Sequence, residues 1–168
     1  MSNLIKIGID PSGTGTTGIV IYEDNKLVKQ HEFKNKDWKE HFEFIDGFIL
    51  EYLYSDYYVK NKGKILSDIR NIEDCLYTNA NGSKDRDDLL RLLGAIENTL
   101  FTFNFISPKY TKSVVKNMEN LSKYNNSCLW KYDKDPNLTY QYGKGWFYNN
   151  EKISNHLRDA IIIANYER

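Results

Sequence analysis

The sequence predicts an α/β domain built around a mixed sheet. Short apolar stretches rich in isoleucine and valine alternate with longer segments whose apolar residues recur every three or four positions. Two strand-like stretches, 4–9 and 18–22, are spaced for an antiparallel hairpin, and a third at 27–33 extends it to a meander. With 168 residues, of which 40% are hydrophobic, the chain suits one domain (1–168) with an ordinary core.

Helical spacing begins after this meander. Asp37 is a predicted N-cap, and the helix that follows carries apolar residues on one face: Trp38, Phe42, Ile45, Ile49 and Leu53. The segment 64–78 contains a predicted strand that ends near Glu73. A second helix over 84–101 is expected to bury a leucine-rich stripe: Leu89, Leu92, Leu93, Ile96 and Leu100.

The last third of the chain is less regular. "FNFIS" reads as a short strand, and Pro108 starts a new segment. Residues 121–150 are polar, aromatic and basic without a helical stripe, which predicts a loop or an irregular hairpin. A closing helix is predicted over 152–167, with its apolar face formed by Ile153, Leu157, Ala160, Ile161 and Ala164.

Composition narrows the class of protein. Lys+Arg 23 balance Asp+Glu 23, whereas a nucleic-acid coat protein is usually more basic; a local basic face remains compatible with this balance. The sequence shows no membrane span and no export signal, and its two cysteines, Cys75 and Cys128, lack metal-ligand spacing. A reducing cytoplasm is therefore the expected setting.

The opening stretch, "IKIGIDPSGTGTTGIVIY", allows two interpretations. Asp10 ends a predicted strand directly before a glycine-rich turn. Such a turn can wrap the phosphates of a nucleotide, or the aspartate can hold a metal ion while the turn reverses the chain.

Three further residues favour the metal. Glu73 also ends a predicted strand, and His156 and Asp159 are three residues apart on the closing helix, so they share a face. Clustered carboxylates repel one another unless a cation neutralises them, and oxygen-rich sites suit Mg²⁺ or Mn²⁺. Two such ions about 3.5–4 Å apart can clamp a phosphodiester during hydrolysis, so these residues predict a nuclease if they meet in space.

Five segments in the same order resemble the RuvC family of Holliday-junction resolvases, within the RNase H-like nuclease superfamily. The resemblance spans most of the chain and consists of these segments: "GIDPSGTGTTGIVIY", "IEDCLY", "LLRLLGAIENTL", "SPKYTKSVV" and "HLRDAIIIA". It implies an RNase H-like fold with a mixed five-stranded sheet flanked by helices. It also implies a homodimeric endonuclease of DNA recombination and repair that cleaves branched DNA with two Mg²⁺ ions per site, or Mn²⁺ in their place.

Carried over by position, the resemblance implies a metal-binding catalytic set and a group of DNA contacts. The catalytic set is Asp10, Glu73, His156 and Asp159. Lys112 is implied in catalysis near the scissile phosphate and, with Lys109, in binding the DNA backbone. Family members often place an aromatic wedge three residues after the glutamate, where this chain has Leu76 followed by Tyr77. These two residues are the remaining predicted DNA contacts.

The segment 121–150 departs from the family pattern, and the dimer interface, the source and the function have further predictions or alternatives. Residues 121–150 replace a commonly helical stretch, and we expect this lysine-bearing aromatic segment to contact DNA. The helix near 84–101 is the implied dimer interface. Scarce arginine with abundant Asn, Lys and Tyr is typical of a phage or an AT-rich bacterium. The alternatives are a nuclease acting on forks, flaps or duplex, an actin- or sugar-kinase-like nucleotide-binding domain, and a catalytically silent scaffold.

Overall fold

A five-stranded mixed sheet lies at the centre of the protein, as the sequence predicts. The computed structural model describes residues 4–57, 67–75, 84–111 and 134–167. The strands follow the order β3-β2-β1-β4-β5 across the sheet. Their bounds are β1 Ile5–Asp10, β2 Thr16–Glu23, β3 Lys26–Lys34, β4 Asp68–Glu73 and β5 Asn104–Ile106.

Strand direction changes in the middle of this sheet. The β1–β2 and β2–β3 pairs are antiparallel, and Asp24 and Asn25 make the second turn with φ of 48° and 66°. Both residues tolerate this left-handed conformation, which hairpin turns of this kind require. The β1–β4 and β4–β5 pairs are parallel, and Ile9 is in register with Ile72. The carboxyl ends of β1 and β4 therefore meet at one edge of the sheet.

Helices cover both faces. Helices α1 (Trp38–Leu50) and α2 (Lys84–Glu97) pack on one face, and a π-helical stretch, Glu51–Tyr57, continues α1. Helix α3 (Asn155–Ala164) packs on the other face against β1 and β2. Asp37 caps α1 by accepting a hydrogen bond from the Lys39 N–H, as predicted. The core between the sheet and the first two helices is built mainly from isoleucines on alternate strand positions: Ile5, Ile7, Ile9, Ile19, Ile21 and Ile72.

Two helix predictions were too long. Helix α2 ends at Glu97, where the Asn98 and Thr99 N–H groups donate to carbonyls three residues back and close the last turn. Leu100 consequently lies off the buried stripe and is fully exposed, at 101% of its reference area. The closing helix begins at Asn155 rather than 152 because Ser154 is its N-cap.

A second, three-stranded antiparallel sheet occupies part of the segment predicted as a loop or irregular hairpin. Its strands are β6 Leu138–Gln141, β7 Gly145–Tyr148 and β8 Glu151–Lys152. The earlier part of that segment lies outside the described residues. This small sheet packs against α3 and β2 through a second core, which includes Val20, Tyr22, Leu138, Trp146, Tyr148, Leu157 and Ile161.

Candidate active site

The turn that follows β1 is held by its own polar groups and by α2. The Gly15 N–H donates to Ser12 Oγ at 2.8 Å, and the Ser12 N–H donates to Thr17 Oγ1 at 3.0 Å. A Cβ at Gly13 would lie 2.5 Å from the backbone nitrogen of Leu89, so only glycine lets the turn approach α2 this closely. Two amides that a phosphate-binding turn would direct at its ligand are thus used inside this turn, which favours the metal interpretation.

Asp10 and Glu73 face the same side of the sheet. A Cβ at Gly8 would lie 2.1 Å from a backbone oxygen of α3, and the Asn71 side-chain amide donates to another α3 carbonyl at 2.9 Å. Side chains alternate along a strand, so the residues two positions later, Asp10 and Glu73, also face α3. Both are buried at the ends of neighbouring parallel strands.

His156 contacts Asp10 from the first turn of α3. The Ser154 hydroxyl accepts from the Leu157 N–H at 3.1 Å and fixes the start of this helix. Gly18, the partner of Asp10 on β2, admits the helix because a Cβ there would lie 2.6 Å from the His156 carbonyl oxygen. The His156 Nδ1 consequently lies 3.0 Å from Asp10 Oδ2.

This contact changes the ionisation of the histidine. The hydrogen bond to Asp10 raises the pKa of His156 above its ordinary value, although partial burial acts in the opposite direction. The charges of Asp10, Glu32 and Asp159 raise the pKa further. The neighbouring carboxylates therefore favour the protonated form of His156, whose positive charge would balance part of the charge of Asp10.

Glu73 has a hydroxyl partner that sequence reasoning missed. Thr111 is buried, and its Oγ1 donates to Glu73 Oε2 at 3.0 Å. The residue follows Pro108 by three positions, and its hydroxyl also lies 3.4 Å from the Pro108 carbonyl oxygen. The sequence feature that could have identified Thr111 as a site residue is its position directly before Lys112 in the "SPKYTK" stretch.

Asp159 is one turn beyond His156 and is paired with Arg158. The Arg158 Nε donates to Asp159 Oδ1 at 2.8 Å, and both side chains are largely buried. The Arg158 guanidinium also lies 4.9 Å from the centre of the Trp146 ring on β7. Sequence reasoning missed Arg158 although it directly precedes Asp159 on the same helix, and it missed Trp146 because the indole comes from a separate strand.

The predicted DNA-binding residues fall in two groups. Lys109 is exposed at the protein surface, and its Nζ lies 5.0 Å from the centre of the Tyr110 ring. Its role in DNA binding stays a prediction. Lys112, Leu76 and Tyr77 lie outside the described residues.

The carboxylates of Asp10, Glu73 and Asp159 are suitable ligands for a hard divalent cation, although these side chains do not surround a common point. In the described part of the chain, no three His, Cys, Asp or Glu side chains lie close enough together to hold a metal ion. Buried carboxylates that face one helix from neighbouring strands nevertheless supply the oxygen ligands that Mg²⁺ prefers. A shared ion would require Asp10, Glu73 and Asp159 to turn toward one another.

A solved structure with the same architecture is that of T. thermophilus RuvC in complex with a Holliday junction substrate. Its TM-score to this chain is 0.52, with 15% sequence identity over 96% of this chain and 90% of that one. The chain has a RuvC-like fold. Similarity at this level of identity shows the fold only. The chemical activity has to be inferred from the residues of the candidate site.

Sequence comparisons give no further assignment: no protein-family model and no curated protein matches the chain. Within the ranges that the structure covers, the helices are too short or too polar to cross a membrane. Of the three comparisons, only the three-dimensional one supports the RuvC-like fold.

Proposed function

We propose that this protein is a metal-dependent endonuclease that cleaves branched DNA, with four-way Holliday junctions as its substrate. The observation that carries the proposal is the placement of Asp10 and Glu73 at the ends of adjacent parallel strands. Both carboxylates face the helix that bears His156 and Asp159. The RuvC-like fold supports the choice of substrate, because the similar solved chain is bound to a Holliday junction.

Each residue has a proposed task. Asp10, Glu73 and Asp159 supply carboxylate oxygens to Mg²⁺ or Mn²⁺, and His156 either joins them as a ligand or orients Asp10. Two bound ions would supply the positive charge that stabilises the attacking and leaving oxygens of the phosphodiester.

Lysines on the segment after β5 complete the proposed site. Lys112 acts near the scissile phosphate, and Lys109 binds the backbone beside it. Leu76 and Tyr77 are proposed to meet the DNA at the branch point. Phosphate contacts of this kind fix the register of the duplex on the protein without reading its sequence.

A homodimer in the cytoplasm is the proposed working form. Two symmetric cuts across a junction need two active sites related by a two-fold axis. Helix α2 offers a contact surface, because Leu90 on it is partly exposed among polar neighbours.

Cleavage of defined substrates tests the proposal. A synthetic four-way junction, a fork, a flap and a linear duplex of matched sequence are incubated with the protein and Mg²⁺. The test variants are Asp10→Asn and Glu73→Gln, and Glu43→Gln on the exposed face of α1 is the matched control. We expect symmetric nicks in the junction with the unmodified protein and the control, and loss of at least about 100-fold in rate with either test variant.

The alternatives give different results. Equal cutting of fork, flap or duplex would assign a nuclease without junction specificity. Undiminished cutting by Asp10→Asn and Glu73→Gln would contradict the site. ATP hydrolysis without DNA cleavage would assign the protein to the nucleotide-binding class instead.

A further inference from the structure

The β6–β7 hairpin ends in an exposed aromatic tip. Gln141 pairs with Gly145, and residues 142–144 form the turn between them. Gly143 and Gly145 have φ of 74° and 102°, values that side-chain-bearing residues rarely adopt. Tyr142 within this turn is 68% exposed.

The base of the hairpin is anchored at the end of the sheet away from Asp10. Burial and the nearby Asp135 carboxylate raise the pKa of Tyr148, the last residue of β7, and the same Asp135 accepts a 2.6 Å hydrogen bond from the Tyr22 hydroxyl. Tyr22 pairs with Lys6 on β1, four residues before Asp10. The base of β7 is therefore distant from the candidate active site along the strand direction.

The other end of β7 approaches that site. Trp146 contacts Arg158, and Arg158 binds Asp159. β7 passes from Tyr148 at the far end to Trp146 beside Arg158, the partner of Asp159, so its continuation into the tip extends toward the active-site edge of the sheet. Tyr142 thus lies at the end of the hairpin that is nearer to Arg158 and Asp159.

The tip stands on a rigid support. Trp146 is buried and meets Tyr140 edge-to-face with 5.3 Å between ring centres. The Ile153 N–H donates to the Trp146 carbonyl oxygen at 3.0 Å and holds the following segment in place. A Cβ at Gly143 would have no atom of the described residues within 4 Å, so there is open space beside the turn at this position.

The chemistry around Tyr142 matches that of a nucleic-acid contact. Lys144 in the turn and Lys152 on β8 are exposed, and the Lys152 side chain reaches 4.0 Å from the Cβ position of Gly145. Glu151 is an exposed acid beside them, so the local charge is modestly positive. Exposed aromatic rings stack on unpaired bases, and neighbouring lysines bind the flanking phosphates.

We propose that this tip binds the branch point of the junction. Tyr142 stacks on an unpaired or strained base, and Lys144 and Lys152 bind the adjoining phosphates. The inference rests on the proposed function. It adds a base-stacking residue near the active-site edge, in a segment that the sequence predicted as a loop or an irregular hairpin. It also gives the 121–150 segment a specific DNA-contacting residue.

Binding without cleavage tests the inference. The probe is a four-way junction with 2-aminopurine beside the crossover, titrated with protein in Ca²⁺ so that the strands stay intact. The variants are Tyr142→Ala and Tyr142→Phe, with Tyr54→Ala as the control, because Tyr54 is 64% exposed on the π-helical stretch of the opposite face. We expect Tyr142→Ala to weaken binding about tenfold and to reduce 2-aminopurine quenching, with Tyr142→Phe and Tyr54→Ala close to the unmodified protein.

A salt titration tests the lysines separately. Lys144→Ala is expected to reduce the slope of log Kd against log salt by about one, whereas Lys26→Ala, at the turn between β2 and β3, should leave it unchanged. Full binding and quenching by Tyr142→Ala, in a protein that cleaves junctions, would overturn the tip contact and leave the proposed function standing. Absence of both binding and cleavage in the unmodified protein would overturn both.

Discussion

His156 Nδ1 lies 3.0 Å from Asp10 Oδ2, which joins two residues separated by 146 positions in the chain. The contact ties the end of the first strand to the first turn of the last helix. It depends on Gly18, whose lack of a side chain lets that helix approach the sheet. The two ends of the chain thereby form one side of the candidate active site.

Replacing this histidine tests its contribution. We expect His156→Ala to lower the Mg²⁺-dependent cleavage rate about 10–100-fold, because Asp10 loses the partner that orients it. His156→Asp should retain most of the activity, since a carboxylate at this position can also ligate a cation. Single-turnover cleavage of the junction measures both rates. An unchanged rate in His156→Ala would remove this residue from the site.

Arg158 is expected to compete with a cation for Asp159. Arg158→Gln should tighten Mn²⁺ binding several-fold, measured by calorimetry, because the carboxylate loses its positively charged neighbour. Without metal, the same variant should lose about 1–3 kcal/mol in free energy of unfolding, since a buried acceptor is left with a weaker donor.

Arg91→Gln is the matched control for this variant, because Arg91 pairs with a buried aspartate, Asp88, at 3.4 Å but lies on α2, on the opposite face of the sheet from α3. It should leave Mn²⁺ affinity unchanged. Weaker Mn²⁺ binding by Arg158→Gln would show that the arginine supports the site rather than competing for it.

Close packing of α3 on the sheet depends on Gly8. A methyl group there would lie 2.1 Å from the Ala160 carbonyl oxygen, so Gly8→Ala must displace the helix that carries His156 and Asp159. We expect a loss of about 3 kcal/mol in free energy of unfolding together with reduced cleavage. Gly47→Ala in α1, where no atom of the described residues lies within 4 Å, should be neutral or stabilising by up to about 1 kcal/mol. Urea denaturation distinguishes the two.

Alkaline pH should weaken the packing of the small sheet. Burial and the Asp135 charge raise the pKa of Tyr148 to about 12. The unfolded tyrosine ionises near pH 10, so its contribution to stability is complete below about pH 10 and is lost as pH rises toward 12.

The free energy of unfolding between about pH 9 and pH 11 measures this effect. It should fall less steeply for Tyr148→Phe than for the unmodified protein, and Tyr54→Phe, altered at an exposed site, should match the unmodified protein. Equal slopes for all three proteins would exclude a role for Tyr148 in the pH dependence.

Local sequence signals were sufficient for most of the main sheet. Strand β1 was predicted at 4–9 and lies at Ile5–Asp10, and the N-cap at Asp37 is confirmed. These elements follow from alternation, helical spacing and capping, which act within a few residues. The resemblance also implied the fold that the structural similarity shows.

Long-range pairings escaped prediction. The segment was predicted only as a loop or an irregular hairpin because its strands are short. The inward-facing Trp146 and Tyr148 on β7 are also separated by another aromatic residue, Phe147, so polar and apolar residues do not alternate. The Arg158–Trp146 and Thr111–Glu73 contacts bring together separate elements, and their residue types alone do not specify a partner. The extent of α2 was overestimated because Leu100 continues the helical spacing beyond the point where the backbone turns.

A crystal soaked in Mn²⁺ and measured at the manganese absorption edge tests the central claim most directly. The account predicts an anomalous peak at the carboxyl ends of β1 and β4, within about 2.0–2.3 Å of oxygens from Asp10 and Glu73. The peak should disappear in Asp10→Asn. Manganese bound elsewhere with this edge empty, or a peak that persists in Asp10→Asn, would contradict the account.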